Sequence, residues 1–271
     1  MSLKKKIPGE RLETGQYNEN TSEHLHRYAL AAVICENRKI LDIACGEGYG
    51  SNLLSKKARS VSGVDIDAET VAKAKEKYRS PNLEYKTGSA DKIPYADHSF
   101  EIVISFETLE HHDRHREMMQ EIKRVLIPGG LCIISTPDKL IYSDKKNYKN
   151  PFHVKELYKE EFRELLKGYF KNVNLFKQQF FSGSLIVPED TAESRLATFK
   201  GDFNHVESNS DVEAEYLIAF ASDDDLIPNS PSIFIDTDFT QNKILQFQRS
   251  SLRYKLGNLL LAPIKFLRGK K

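Results

Sequence analysis

Little in this chain suggests a crosslinked, secreted or membrane-spanning protein. It has three cysteines in 271 residues, Cys35, Cys45 and Cys132. Each falls alone in helix- or strand-like surroundings with no C-x-x-C pair, so neither disulfides nor zinc is expected and a reducing cytoplasm fits. No stretch reaches 18 apolar residues, which leaves no candidate for a spanning helix. Lys4, Lys5 and Lys6 have no apolar run after them, so a secretory signal is not expected. Charge is also nearly absent in sum: 40 Lys and Arg against 39 Asp and Glu leave +1, with no nucleic-acid footprint. No internal repeat is visible. What is present, with 39% hydrophobic residues, allows one domain with a large core.

The most informative stretch is Ile40-Leu41-Asp42-Ile43-Ala44-Cys45-Gly46-Glu47-Gly48-Tyr49-Gly50. Ile40, Leu41 and Ile43 read as a short buried strand. Gly46, Gly48 and Gly50 let the chain turn sharply and approach a ligand where a Cβ would collide. The spacing is G-x-G-x-G rather than the G-x-G-x-x-G of a dinucleotide fingerprint. Asp42, four residues upstream, would repel a pyrophosphate and attract a cationic ligand. One strand later, Val61 to Asp67 ends in acid, with Asp65 placed to accept hydrogen bonds from both ribose hydroxyls, each worth roughly 1.5–3 kcal/mol. Asp67 reads as the cap of the helix that follows. The loop by itself leaves hydride transfer, phosphate binding and methyl transfer open.

Apolar spacing predicts helices over 24–37, 50–57, 68–78, 114–125 and 159–166, alternating with strands near 40–44, 61–65, 83–86, 101–105 and 131–135. Two more strands are expected at 173–181 and 216–221. Such alternation predicts an α/β fold with a parallel sheet covered on both faces.

These residues resemble the class I S-adenosylmethionine-dependent methyltransferases over about 24–222. Gly88-Ser89-Ala90-Asp91-Lys92-Ile93-Pro94-Tyr95 is similar to the family's adenine loop, and Phe100 to Glu107 to its fourth strand. Glu121 to Gly130 resembles the helix and Pro-Gly-Gly turn before the fifth strand. The resemblance implies a Rossmann-like, doubly wound, mostly parallel seven-stranded sheet with helices on both faces and an antiparallel last strand. It implies S-adenosylmethionine as cofactor, S-adenosylhomocysteine as product, and cofactor contacts at Arg27, Asp42, Ala44, Gly46, Gly48, Tyr49, Asp65, Ile66, Ser89, Ala90 and Phe106. Ser89 stands where the family often has Asp, and its hydroxyl accepts from the adenine amino group more weakly. Tyr49 and Phe106 are candidates to face the sulfonium, a contact worth roughly 0.5–2 kcal/mol. Arg27 is a candidate for the methionine carboxylate.

The implied chemistry is in-line attack by an acceptor on a sulfonium methyl, and a hydroxyl acceptor needs a general base. His111, just past the fourth strand, and His153, in Asn150-Pro151-Phe152-His153 after the fifth, are the catalytic candidates. His111 and His115 are four apart but lack a third ligand at defined spacing, so no metal is expected. Phe106 to His111, Ser135 to Asp138 and Asn150 to His153 resemble bacterial methyltransferases of the type 11 class associated with surface polysaccharides. That likeness implies O-methylation of a sugar or glycan precursor. A small metabolite or lipid-like acceptor, quinones included, and a non-catalytic cofactor-binding protein are the alternatives.

The domain plan is a mobile segment over 1–23, the methyltransferase domain over 24–222 and a linker over 223–245. A polar insertion over 182–214, too long for a hairpin, reads as a substrate lid. Residues 246–271 hold seven basic residues and no acid, so the other 245 carry −6 of the whole chain's +1. With Leu252, Leu256, Leu259, Leu260 and Leu267, this tail reads as a basic amphipathic helix for an anionic inner-membrane face, the chain's own core or a dimer partner.

Overall fold

The computed structural model describes residue 12 and residues 19–181, 199–201, 206–208, 213–226 and 231–235. Nine strands lie in this part: β1 (Lys39–Ile43), β2 (Ser60–Asp65), β3 (Leu83–Thr87), β4 (Phe100–Phe106), β5 (Leu126–Pro137), β6 (Asn172–Gln178), β7 (Phe199–Gly201), β8 (Val206–Ser208) and β9 (Tyr216–Ser222). The α-helices are α1 (Glu19–Ile34), α2 (Tyr49–Ser55), α3 (Ala68–Lys77), α4 (His115–Val125) and α5 (Lys159–Lys167). Seven strands form one sheet in the order β3-β2-β1-β4-β5-β9-β6, with β7 and β8 paired separately. β1 to β5 run parallel, whereas β9 is antiparallel to both β5 and β6. This is the expected doubly wound sheet with its antiparallel last strand.

The apolar runs of the parallel strands bury both faces. Leu41, Ile43 and Val103 pack with Met118, Met119 and Ile122 of α4 and Phe162 of α5. Ile40, Ile102 and Ile104, the alternate residues, pack on the other face with Ala31 of α1 and Leu54 of α2. Asp67 caps α3 through its carboxylate, which accepts from the Glu69 amide at 3.0 Å.

The topology places the site. From β1 the chain moves outward to β2 and β3, then returns to lay β4 on β1's other side, so the connections leaving β1 and β4 diverge. A crevice opens outside the carboxyl ends of these two strands, where open α/β sheets take ligands.

Three features differ from expectation. Helix α1 begins at Glu19, and Thr21, Ser22 and Glu23 are buried, so the helix starts earlier than residue 24. β5 starts at Leu126, because Leu126 already pairs with Phe100 before the register shifts ahead of Ile102. β6 ends at Gln178 rather than 181. The expected lid lies outside the described residues except for β7, β8 and residues 213–214, and the expected tail over 246–271 lies wholly outside them. Among the described residues no helix is long and apolar enough to cross a membrane.

Candidate active site

A cavity of about 1510 Å³ occupies the crevice. Its floor is the turn after β1, where Ala44, Gly46 and Gly48 all take positive φ (58, 54 and 80°). At Gly48 a Cβ would also lie 2.7 Å from the Tyr85 ring, whose hydroxyl donates to the Gly48 carbonyl at 2.7 Å. At Gly50 a Cβ would fall 1.9 Å from Tyr28 Cζ, so only glycine lets α1 lie against the start of α2. Asp65, at the end of β2, lines the cavity and is held by the amides of Gly46 (2.9 Å) and Asp67 (3.0 Å). Its carboxylate is thereby fixed in place as an acceptor for hydroxyl donors.

Of the residues expected to meet a cofactor, Arg27, Ala44, Gly46, Tyr49, Asp65, Ile66, Ser89, Ala90 and Phe106 all line this cavity. Asp42 and Gly48 do not. Asp42 is instead buried, and its carboxylate accepts from Ser51 Oγ at 2.6 Å and the Tyr28 hydroxyl at 3.2 Å. Ser89 donates to Asp91, which is ion-paired to Arg114. The Ser89 oxygen thus keeps lone pairs to accept with, while its proton is spent.

Burial raises Asp42 to about 7, against the pull of its Ser51 and Tyr28 hydrogen bonds. An unfolded aspartate titrates near 3.8, so between these values the folded chain holds the extra proton. The contribution of Asp42 to stability is therefore greatest below about pH 4 and declines as the pH rises to 7, by about 1.4 kcal/mol per unit for a fully shifted group. Urea midpoints at pH 5 and pH 8 should fall further for the wild type than for Asp42→Asn. An equal fall in both would refute this role.

Arg27, 1% exposed on α1, is the clearest sign of a ligand. Its Nε donates to Gln178 Oε1 at 2.6 Å, its guanidinium lies 4.6 Å over the Tyr216 ring, and Nη1 is 3.4 Å from Glu107 Oε1. Yet Nη1 and Nη2 are both buried without a hydrogen-bond partner among the described residues. Buried donors of this kind call for an acceptor, and a carboxylate matches the guanidinium fork. A methionine carboxylate at Arg27 and a ribose at Asp65 therefore fit the residues present.

Several further groups that sequence reading passed over line the cavity: Glu107, Glu110 and Tyr142 on the connections after β4 and β5, Glu23 and His24 on α1, and Tyr216 at the start of β9. Glu107 takes φ 50°, strain of the sort found beside functional sites, and accepts from Ser135 Oγ at 2.6 Å. Glu110 is fully buried, accepts from Thr136 Oγ1 at 3.1 Å, and is pushed well above the usual carboxylate range by burial and by Glu107. Burial also raises Glu23 to about 7. The spacing Glu107-x-x-Glu110-His111 at the end of a strand was the available signal.

His111 and His153 meet here, with ring centroids 5.2 Å apart. His111 Nδ1 faces the Phe152 carbonyl at 3.2 Å. A carbonyl only accepts, so the neutral ring carries its proton on Nδ1 and leaves the Nε2 lone pair for a ligand. His153 Nδ1 is 2.5 Å from Glu156 Oε1 and its Nε2 is 3.1 Å from Asn150 Nδ2. Asn150 Oδ1 accepts from the Phe152 amide at 3.0 Å, which orients the amide group so that it donates to His153. His115 is elsewhere: its Nε2 bonds the carbonyls of Leu109 and His112, both at 2.8 Å.

Fold and site together define a doubly wound α/β protein with a nucleoside-cofactor cleft at the carboxyl edge of its sheet. Residues 41–134 match the family described as a methyltransferase domain. The chain is 36% identical over 164 residues to a probable S-adenosylmethionine-dependent methyltransferase of Mycolicibacterium smegmatis, covering 59% of this chain and 63% of that one. It is 28% identical over 117 residues to the phthiotriol/phenolphthiotriol dimycocerosates methyltransferase of Mycobacterium tuberculosis, covering 42% and 43%. The match thus spans less than two thirds of either relative. The fold is shared with the YcgJ protein of a Bacillus species at TM-score 0.54 and 17% identity, over 73% of this chain and 98% of that one. A SAM-dependent methyltransferase from Thermotoga maritima gives TM-score 0.55 at 17% identity, over 76% and 91%.

Proposed function

We propose that this protein transfers a methyl group from S-adenosylmethionine to a hydroxyl of a sugar or glycan precursor in the cytoplasm. The observation that carries the methyltransferase reading is Arg27, buried in the cavity with neither Nη atom hydrogen-bonded among the described residues, in a crevice that also holds the fixed Asp65 carboxylate. When bound, the cofactor supplies an electrophilic methyl group on a sulfonium. Arg27 holds the amino-acid carboxylate, Asp65 the ribose, and Ser89 and Ala90 the adenine. Tyr49 and Phe106 line the same cavity, with Tyr28 edge-on to both at 5.6 and 5.1 Å. Holding two reactants in attack geometry supplies about 7–11 kcal/mol of the barrier reduction.

Deprotonation of the acceptor falls to His111, whose Nε2 lone pair has no partner among the described residues. Glu156 and Asn150 occupy both nitrogens of His153, which serves as the wall on which His111 packs. Carboxylates with Tyr142, Phe152 and Tyr216 suit a polyhydroxylated acceptor, since they combine hydroxyl acceptors with flat apolar faces.

A lipid-like acceptor is the second reading. It is favoured by exposed Leu140, Tyr148, Phe152 and Val154 on the connection after β5, of which Phe152 lines the cavity, and by the relative named for phthiotriol dimycocerosates. Contact with an anionic membrane or a dimer partner through 246–271 would serve either acceptor.

Calorimetry with S-adenosylhomocysteine, followed by a cofactor-dependent screen of extracted glycans, lipids and their precursors for one-methyl mass increments, tests the proposal. No cofactor binding would overturn it. Binding together with methylation of lipids alone selects the second reading, and binding with no product from any extract selects a non-catalytic cofactor protein.

A further inference from the structure

The structure assigns a divalent-cation site to Glu110, His111 and His153. One carboxylate oxygen and one ring nitrogen from each histidine lie within 4.8 Å of one another. They come from two connections far apart in sequence, the 3-10 turn Leu109–His111 after β4 and the loop after β5, and all three residues line the cavity.

The surroundings of the two rings carry the inference. Ligating histidines donate their other N–H to a carboxylate or a backbone carbonyl, which sets the tautomer and aims the free nitrogen. Both arrangements occur here: His153 Nδ1 on Glu156 at 2.5 Å, and His111 Nδ1 on the Phe152 carbonyl at 3.2 Å. In each ring this leaves Nε2 as the lone-pair nitrogen, turned to solvent in His111 and accepting from Asn150 Nδ2 at 3.1 Å in His153. Glu110 is 1% exposed, and among the described residues no lysine or arginine is ion-paired with it. Its one described side-chain donor is Thr136 Oγ1, so a cation would supply the charge that this buried carboxylate lacks.

Three donors on a single zinc ion sit about 3.3 Å apart, so closure from 4.8 Å asks each imidazole to move by about an ångström. Asn150 Nδ2 then yields its contact with His153 Nε2 while retaining the Tyr142 hydroxyl at 3.1 Å. Two imidazoles and one carboxylate suit Zn²⁺, Fe²⁺ or Mn²⁺ and leave positions open for oxygen ligands from an acceptor.

The site's existence is independent of the methyl-transfer reading, but its role rests on it. With the cation bound, His111 gives its lone pair to the metal. The acceptor hydroxyl binds the open position, becomes more acidic there and releases its proton to bulk water, and its oxygen then bonds the methyl carbon as the carbon–sulfur bond breaks. In the metal-free chain His111 takes that proton itself.

Full-length protein freed of metal with a chelator should bind Zn²⁺ or Mn²⁺, each titrated alone, at one equivalent by calorimetry. Co²⁺ should produce visible absorption bands. Glu156→Gln, which leaves all three ligands in place, should weaken binding about 10–100-fold. His111→Ala and His153→Ala should abolish it, and His26→Ala should leave it unchanged. S-adenosylhomocysteine titrated into the same samples separates the two readings, because cofactor binding without metal binding overturns only the cation site. Absence of stoichiometric binding by any of the three ions, or binding that survives in both His111→Ala and His153→Ala, would overturn it.

Discussion

Replacing His111 with alanine will lower kcat by about a hundred- to ten-thousand-fold and leave the affinity for S-adenosylhomocysteine unchanged, the range expected when a positioned proton acceptor is lost. The separation of the two effects follows from the fold. His111 sits in the turn after β4 against Phe152 and His153, whereas the cofactor-facing residues, Phe106 at the end of β4 apart, lie at or after the ends of β1, β2 and β3 and on α1. His111 is exposed, and its one described side-chain hydrogen bond joins two loops, so its removal costs the core little. Single-turnover kinetics with an acceptor from the screen, paired with calorimetry, checks both halves. Wild-type turnover in the variant would remove His111 from the chemistry.

Arg27→Met should weaken S-adenosylhomocysteine binding by about 30- to 5000-fold, the 2–5 kcal/mol typical of cutting a buried, charge-assisted contact. Methionine keeps the aliphatic stem over Tyr216 but removes every donor. The substitution also strips Glu107 of its cation at 3.4 Å and leaves the Gln178 carbonyl oxygen without its donor at 2.6 Å, so folding must be followed beside binding. Arg27→Lys keeps the charge and loses the fork, and an intermediate affinity is expected for it. Unchanged affinity in a folded Arg27→Met variant would show that those Nη atoms are not the carboxylate seat.

The difference between these two residues shows how far a sequence can be read. Its position on the helix before β1 makes Arg27 a candidate, but helical spacing alone does not say whether that side chain is buried. Its burial depends on Gln178 and Tyr216, some 150 and 190 residues downstream. His111 was named from its place at a strand's carboxyl end, and its tautomer depends on the Phe152 carbonyl, 41 residues away. Asp42 shows the same limit. Its spacing from the glycines pointed to a ligand, while the groups that claim its carboxylate arrive from α1 and α2.

By itself the sequence determined the parts set by local physics. The apolar runs specify buried parallel strands, the helical spacing specifies the covering layers, and the glycines at 46 and 48 mark where the chain must turn left-handed. Those signals lie within a few residues of what they describe, so they survive in a linear reading. Only the tertiary structure decided which side chains share a cavity. It set Glu110 and His111 against His153, turned His115 away into backbone bonds, and carried Asp42 behind the turn. The physical reason is that a site at a topological switch point is assembled from strand ends far apart in the chain. Its chemistry depends on distances of about 3 Å that no one-dimensional spacing encodes.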